Sequence, residues 1–417
     1  MRDRMLRLML NWIWAAFFLI AFAAAIVHTV VGGDPDALKN VVGSLFDSSK
    51  TAFEISIGLT GVMTLWLGLM RVAEQGGVTG LIARVVGPLF RRLFPAIPPG
   101  HAASGAIVMN RSANMLGLDN AATPLGLKAM KELQSLNRTP DTASDEMVLF
   151  MVMNASSVTL VPISIMTFRQ QLGAANPADV FVPILIATYI SDIVGLMLVA
   201  SVQRIPLLSP VVLGWVGGLT ALMGGLVWHF TRLPADQVAV QSALLANAVL
   251  IGIVGTFLVA GLTRKVPVYE TFVEGAKEGF QTAVGIIPYL VAMLVAVGAL
   301  RASGVLDALL DAIRTGAAGM ALDTRWVDGL PTALIKPFSG GGARGVMVET
   351  MKTLGADSFG GRLACIIQGS TETTFYVLAV YFGSVGIKKT RHALPCALGA
   401  EVAGVLAAIL VTYVFFG

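Results

Sequence analysis

Two polar runs interrupt long apolar stretches of this 417-residue chain, Asn154-Ala-Ser-Ser-Val-Thr159 and Gln368-Gly-Ser-Thr-Glu-Thr373. In the second run Glu372 is the sole charge between Leu363 and Ile387. A carboxylate inside a bilayer costs at least about 2.5 to 3.5 kcal/mol, so such a residue is by default a candidate for function. Gln368, Ser370, Thr371 and Thr373 can hydrogen-bond ribose-like or amide-like groups, and Asn154, Ser156, Ser157 and Thr159 answer them from the first run. A glycine amid so many donors and acceptors lets a helix unwind and turn half-helix ends toward a solute or ion. The competing reading has the hydroxyls bonding preceding carbonyls of their own helix, with Glu372 paired to Arg344.

Asp192 and Glu401 are each the sole charge of an apolar stretch and stand at equivalent places in Ser191-Asp-Ile-Val-Gly195 and Ala400-Glu-Val-Ala-Gly404. Their shared position suits coupling to Na+ or H+; capping of neighbouring hairpins is the structural alternative. The segments His101–Met130 and Pro331–Met351 are too rich in Gly, Asn, Ser and Pro to cross as plain helices, yet apolar stretches flank their centres. Each reads as a re-entrant helical hairpin, a backbone tolerated at membrane depth only where protein or a wet cavity covers it. The expected tips are Ser112, Asn114, Asn120 and Thr123 in the first, and Ser339, Gly340, Gly341, Gly342 and Arg344 in the second. Consecutive glycines admit close backbone approach to a ligand, and Arg344 can hold an anionic group bidentately. Gly340-Gly-Gly-Ala-Arg-Gly345 lacks the lysine and hydroxyl partner of a nucleotide phosphate loop. No nucleophile, base and orienting group converge by spacing, and Cys365 and Cys396 suggest neither a disulfide framework nor a metal site. Catalysis, a resident metal and other cofactors are therefore not expected.

The elements that position these residues are membrane helices. Apolar residues make up 55% of the chain and charged residues 13%, too few polar side chains to cover a soluble fold of this size. Leu8–Gly33, Ile55–Met70, Met147–Phe168, Leu208–Trp228, Gln237–Thr263 and Gln281–Leu300 contain no Asp, Glu, Lys or Arg, and Val180–Val202, Leu363–Ile387 and Ala393–Gly417 hold one carboxylate each. About 20 apolar residues suffice to cross a bilayer. The net charge of +4 is small and sits mainly in loops, which does not favour a nucleic-acid partner.

The chain also repeats itself. Val42-Gly-Ser-Leu-Phe-Asp-Ser-Ser-Lys-Thr-Ala-Phe53 parallels Val273-Glu-Gly-Ala-Lys-Glu-Gly-Phe-Gln-Thr-Ala-Val284, and the segments after Arg71 and Arg301, the two polar runs and the Asp192 and Glu401 stretches follow in the same order. Arg2, Arg4 and Arg7 put the amino terminus inside by the preference of Lys and Arg for cytoplasmic loops. The first span then leads out to a His28–Lys50 loop, and Arg84, Arg91 and Arg92 return to the inner face. Thr167–Ala178 falls outside, whereas its repeat partner Gly386-Ile-Lys-Lys-Thr-Arg391 is strongly basic and falls inside. The expected fold is an all-α polytopic membrane protein with two inverted-topology repeats, re-entrant hairpins and broken helices. Residues 1–205 hold the first repeat with an extra N-terminal span, 206–265 the linking spans, and 266–417 the second, inverted repeat.

Asn110-Arg-Ser-Ala-Asn-Met-Leu-Gly-Leu-Asp-Asn-Ala-Ala-Thr-Pro-Leu-Gly-Leu-Lys-Ala-Met130 resembles the hallmark of spore maturation protein A. Ser358-Phe-Gly-Gly-Arg-Leu-Ala364 with the stretch from Gln368 to Arg391 resembles spore maturation protein B, so the chain looks like a fusion of the two over nearly its whole length. Both belong to the group with the nucleoside-recognition or gate domain, distantly related to concentrative nucleoside transporters. That resemblance implies hairpins and broken helices around a central site without fixing a substrate. The first run departs by having Asn154-Ala-Ser-Ser where the second has Gln368-Gly-Ser-Thr-Glu, so a symmetric pair of carboxylates is absent. The expected function is a secondary transporter of a small polar, nucleoside-like solute in the inner membrane, working by alternating access with the hairpins as gates. The alternative is a non-transporting component of an envelope or spore maturation pathway that acts through protein partners, which the lack of a substantial soluble domain disfavours. Solute and membrane lipid are the expected partners, and homo-oligomerisation is left open.

Overall fold

The computed structural model describes residues 2–115, 119–156, 159 and 162–417. It is built from helices, and among the described residues there is no β-strand, only an isolated bridge between Thr142 and Lys389. In the first half α1 (Arg2–Val30) leads to a long α2 (Ala37–Gln75) and an amphipathic α3 (Val78–Leu93). A pair of shorter helices, α4 (Ala102–Met115) and α5 (Asp119–Leu136), precedes α6 (Asp145–Ala155), α7 (Ile163–Gln171) and α8 (Phe181–Gln203). Two linking helices follow, α9 (Pro210–Thr231) and α10 (Ala235–Thr263). The second half restates the order as α11 (Val268–Ala302), α12 (Val305–Gly319), α13 (Leu330–Ile335), α14 (Gly340–Leu354), α15 (Phe359–Ser370), α16 (Thr374–Ser384) and α17 (Ala393–Phe416), with a 3-10 turn, Arg325–Gly329, before α13.

Local chemistry sets these boundaries. Ser144, Ser209, Ser339 and Ser358 each accept a backbone N–H in the first turn of α6, α9, α14 and α15, as an N-cap does. At equivalent junctions Gly77 (φ 76°) and Gly304 (φ 77°) turn α2 into α3 and α11 into α12 in the left-handed region that favours glycine. Six helices are long and apolar enough to cross a membrane among the described residues, or seven if the bent pair Leu290–Ala302 and Val305–Gly319 counts as one span. Exposed Trp228, Leu244, Ile251 and Leu262 on α9 and α10 suit hydrocarbon rather than water.

Two expectations need correction. The His28–Lys50 loop is helical from Ala37: nothing between Ala37 and Gln75 is a proline, so one 39-residue helix of about 58 Å continues until Gly76 and Gly77. The stretch Met147–Phe168 is likewise two helices, since α6 ends at Ala155 and α7 begins only after Pro162.

Counterpart helices of the two halves pack against each other. Gly68 meets Phe272, and Gly275 and Gly279 lie against the backbone of Leu67 and Met63, so α2 and α11 run antiparallel at close range. Gly195 faces Ala400 and Gly404 faces Ser191, and Ser191 Oγ donates to the Ala400 carbonyl at 2.8 Å, so α8 and α17 are antiparallel too. At one end of these spans the Lys388 and Lys389 amides donate to the Asp141 carbonyl, Arg391 pairs with Asp145 at 2.6 Å, and Gln203 bonds Asp145 and His392. At the opposite end the fully buried Arg169 pairs with Asp179 and Asp357 at 2.8 Å each, and Arg362 pairs with Asp179 at 2.9 Å. Burial pushes the Asp179 carboxyl above the usual range although both arginines pull it down.

Candidate functional site

The two broken helices meet at their breaks. α15 ends at Ser370, Thr371 is extended (φ −148°, ψ 166°), and α16 starts at Thr374. The Glu372 amide donates to the Ala155 carbonyl at 2.8 Å, an end-of-helix acceptor that has no partner of its own inside α6. The end of α6 thus meets the break between α15 and α16.

A cavity of about 150 Å³ opens beside this junction. Met63, Trp66 and Met70 of α2 with Ile163 and Ile165 of α7 form its apolar wall. The other wall carries Lys336, Gly340, Arg344, Gln368, Thr371 and Glu372, and Thr159 and Ser164 lie at the seam. The buried Gln368 donates through Nε2 to the Gly340 carbonyl at 3.3 Å, while its Oε1 has no partner among the described residues. The same holds for Oγ1 of the buried Thr371. Arg344 forms no hydrogen bond or ion pair among the described residues, so it is not the partner of Glu372.

The structure thereby sorts the residues the sequence singled out. Thr159, Gln368, Thr371, Glu372 and Arg344 line the cavity. Thr373 is buried beside Gly340, and Ser339 caps α14, with Gly341 in its first turn. Gly340, Gly341 and Gly342 therefore start a helix rather than form a loop tip. Ser370 bonds the Ile367 carbonyl and Ser112 the Val108 carbonyl, each in its own helix, and neither lines the cavity. Ser112 sits inside α4 rather than at a hairpin tip, because the helix continues to Met115. Thr123 is half-buried on α5, also within a helix. Asn114 donates to Asn154 Oδ1 at 2.8 Å, and Asn154 donates to the Phe150 carbonyl. Asn120 belongs to α5, its side chain lying outside the described residues, as does Ser157 altogether.

Asp192 and Glu401 occupy matching surroundings. Arg111 of α4 pairs with Asp192 at 2.5 Å and also donates to the Met153 carbonyl at the end of α6, while Ser156 donates to Asp192 at 3.1 Å. In the second half Lys336 donates to the Gln368 carbonyl near the end of α15 at 2.8 Å and acts electrostatically on Glu401, which accepts a hydrogen bond from Thr374 at 2.6 Å. Each half thus sets one buried cation against a half-helix C-terminus, where the helix dipole favours positive charge. Arg111 and Lys336 are not among the intramembrane carboxylates that the sequence marks as candidates. The same burial cost applied to basic residues finds both, since each stands in a segment read as membrane-embedded.

A family model described as nucleoside recognition, Gate, matches residues 56–172 and 283–388. Spore maturation protein B of Bacillus subtilis (strain 168) is 47% identical over 165 residues, covering 40% of this chain and 91% of that protein. Spore maturation protein A of the same organism is 39% identical over 185 residues, covering 44% of this chain and 91% of that protein. No solved structure gives a significant match.

Proposed function

The chain belongs to the nucleoside-recognition Gate family, and from that premise we propose that this multi-pass membrane protein is a secondary transporter of a small polar, nucleoside-like solute. The observation that carries the reading is the cavity at the junction of two broken helices, where Gln368 and Thr371 hold buried polar atoms without partners next to Glu372. Buried polar groups are ordinarily satisfied, and those kept open beside a cavity await a solute. Thr159, Ser164, Gln368, Thr371 and Glu372 bind the solute, and Met63, Trp66 and Met70 cover its apolar face.

The pairs α4–α5 and α13–α14 are the re-entrant hairpins and the gates, and the halves are inverted repeats. The antiparallel packing of α2 on α11 and α8 on α17 supports this, as does the pairing of Gly195 with Ala400 and of Gly404 with Ser191. Under the repeat those two contacts are images of each other, as a pseudo-two-fold axis requires. Glu401 is the candidate for Na+ or H+ coupling, because its Oε1 lacks a hydrogen-bond partner among the described residues, whereas Asp192 is held by Arg111. The protein sits in the inner membrane with its amino terminus and the Lys388–Arg391 turn cytoplasmic.

The printed names of the two relatives support a second reading, a non-transporting membrane component of spore maturation. Flux into liposomes separates them. The transporter takes up a polar metabolite saturably, and the same metabolite raises its melting temperature by mass action; stabilisation without flux favours the second reading. For topology, a cysteine at Ala174 is labelled by an impermeant thiol reagent in intact cells and one at Lys389 is protected. Labelling of both removes the inverted arrangement.

A further inference from the structure

The polar wall of the cavity carries a cation that a neutral solute does not use. Arg344 has no partner among the described residues, whereas Lys336, 3% exposed, bonds the Gln368 carbonyl and acts on Glu401. The 15-residue α14 begins at this wall. Ser339 caps the Gly342 amide, but the amides of Gly340 and Gly341 donate to no described group. A helix start with open N–H groups carries about half a positive charge and binds anions. Arg344 stands one turn into the same helix, and a guanidinium offers a planar pair of donors for a carboxylate or phosphate.

The neighbouring groups define the rest of the ligand. Gln368 is 7% and Thr371 3% exposed, and their unpartnered Oε1 and Oγ1 can accept N–H or O–H groups. Trp66, Met63 and Met70 also line the cavity and offer apolar, polarisable side chains that suit a ring. We propose that the cavity takes a ring-bearing organic anion whose carboxylate or phosphate sits between Arg344 and the start of α14, and whose donor groups face Gln368 and Thr371. This deepens the transporter reading and rests on it: the substrate class is charged, so a plain nucleoside is a poor ligand and its phosphate ester a better one. Lys336 contributes field at the same wall while its ammonium stays bonded to the Gln368 carbonyl.

Calorimetric titration of the purified full chain at fixed ionic strength tests this with uridine, uridine 5′-phosphate and orotate, a ring carboxylate with N–H donors, against a chloride control. At least one of the two anions binds ten-fold or more tightly than uridine, and which one does identifies phosphate or carboxylate as the anionic group. R344Q weakens that anion by about ten- to a hundred-fold, the loss expected of one charge-assisted contact, at an unchanged melting temperature. R344K recovers part of the affinity, since it restores charge without the planar fork. Uridine binding as tightly as both anions, or R344Q leaving anion affinity intact, overturns the charge assignment while the transporter reading stands on uridine. Binding of none of the three overturns both.

Discussion

At the first helix break Asn114 holds Asn154 at 2.8 Å and Arg111 closes on Asp192 at 2.5 Å, with Ser156 adding a third contact. At the second break Gln368 Oε1, Thr371 Oγ1 and Glu401 Oε1 have no hydrogen-bond partner among the described residues, and Arg344 stands in the cavity without an ion pair. Both halves place a cation at the end of a half-helix and a carboxylate on the following span. In the first the polar groups bond one another and form a lock; in the second Gln368 and Thr371 keep unpartnered atoms beside a cavity.

The largest effect expected from this contrast is at the lock. Arg111→Ala strands Asp192, 16% exposed, and should destabilise the fold by about 3 to 5 kcal/mol, seen as a large fall in melting temperature and in monodisperse yield. Arg111→Met combined with Asp192→Leu should recover most of that loss. A tolerated single variant would show that the first break is not held by this pair.

A smaller effect is expected where the start of α14 meets the second break. A Cβ on Gly340 would lie 2.6 Å from Thr373 Oγ1, so Gly340→Ala should cost about 1 to 3 kcal/mol of stability by overpacking. Helix propensity alone favours alanine by up to about 1 kcal/mol, so a stabilised variant would mean that α14 does not press on Thr373.

The smallest is a pH effect at the end of the spans. Burial and Arg391 hold the His392 imidazole below its ordinary value of 6.5, and its Nε2 lies 2.9 Å from the amide nitrogen of Gln203. Because the folded pKa is depressed, the neutral ring's contribution is complete above the unfolded pKa. It is lost as pH falls from there through the folded one. The melting temperature of the parent should therefore drop slightly more than that of His392→Gln between neutral pH and the acid side of 6.5. Parallel pH curves for the two would remove His392 from this contact.

How much of this was legible in the sequence follows from what each feature depends on. Most of the spans and the break at Thr371–Thr373 rest on local composition, legible in apolar runs and in a glycine among hydroxyls, whereas nothing marks the capping Ser144, Ser209, Ser339 and Ser358 apart from other serines. The continuation of α2 back to Ala37 was hidden because Asp47, Ser48, Ser49 and Lys50 look like loop residues, although no proline stops the helix there. The Arg111–Asp192 pair joins residues 81 apart and exists only once the fold brings the two side chains together. Ser112 and Ser370 looked as suitable for a ligand as Thr371. Which hydroxyl turns to a carbonyl of its own helix and which to a cavity is decided by helix ends that composition does not mark.

The proposed solute site at the second break is tested most directly at Glu372, which lines the cavity. Glu372→Gln keeps the side chain's size and removes its charge, so the unliganded protein should still fold and purify monodisperse. Stabilisation by whichever metabolite of a polar panel binds the parent should fall by about ten-fold or more in apparent affinity, the roughly 1.5 to 3 kcal/mol of a charged hydrogen bond. Detergent-purified, monodisperse parent and variant titrated side by side give the answer. Equal affinity in both, with equal dependence on Na+ and pH, would contradict the assignment of the second break as the solute site.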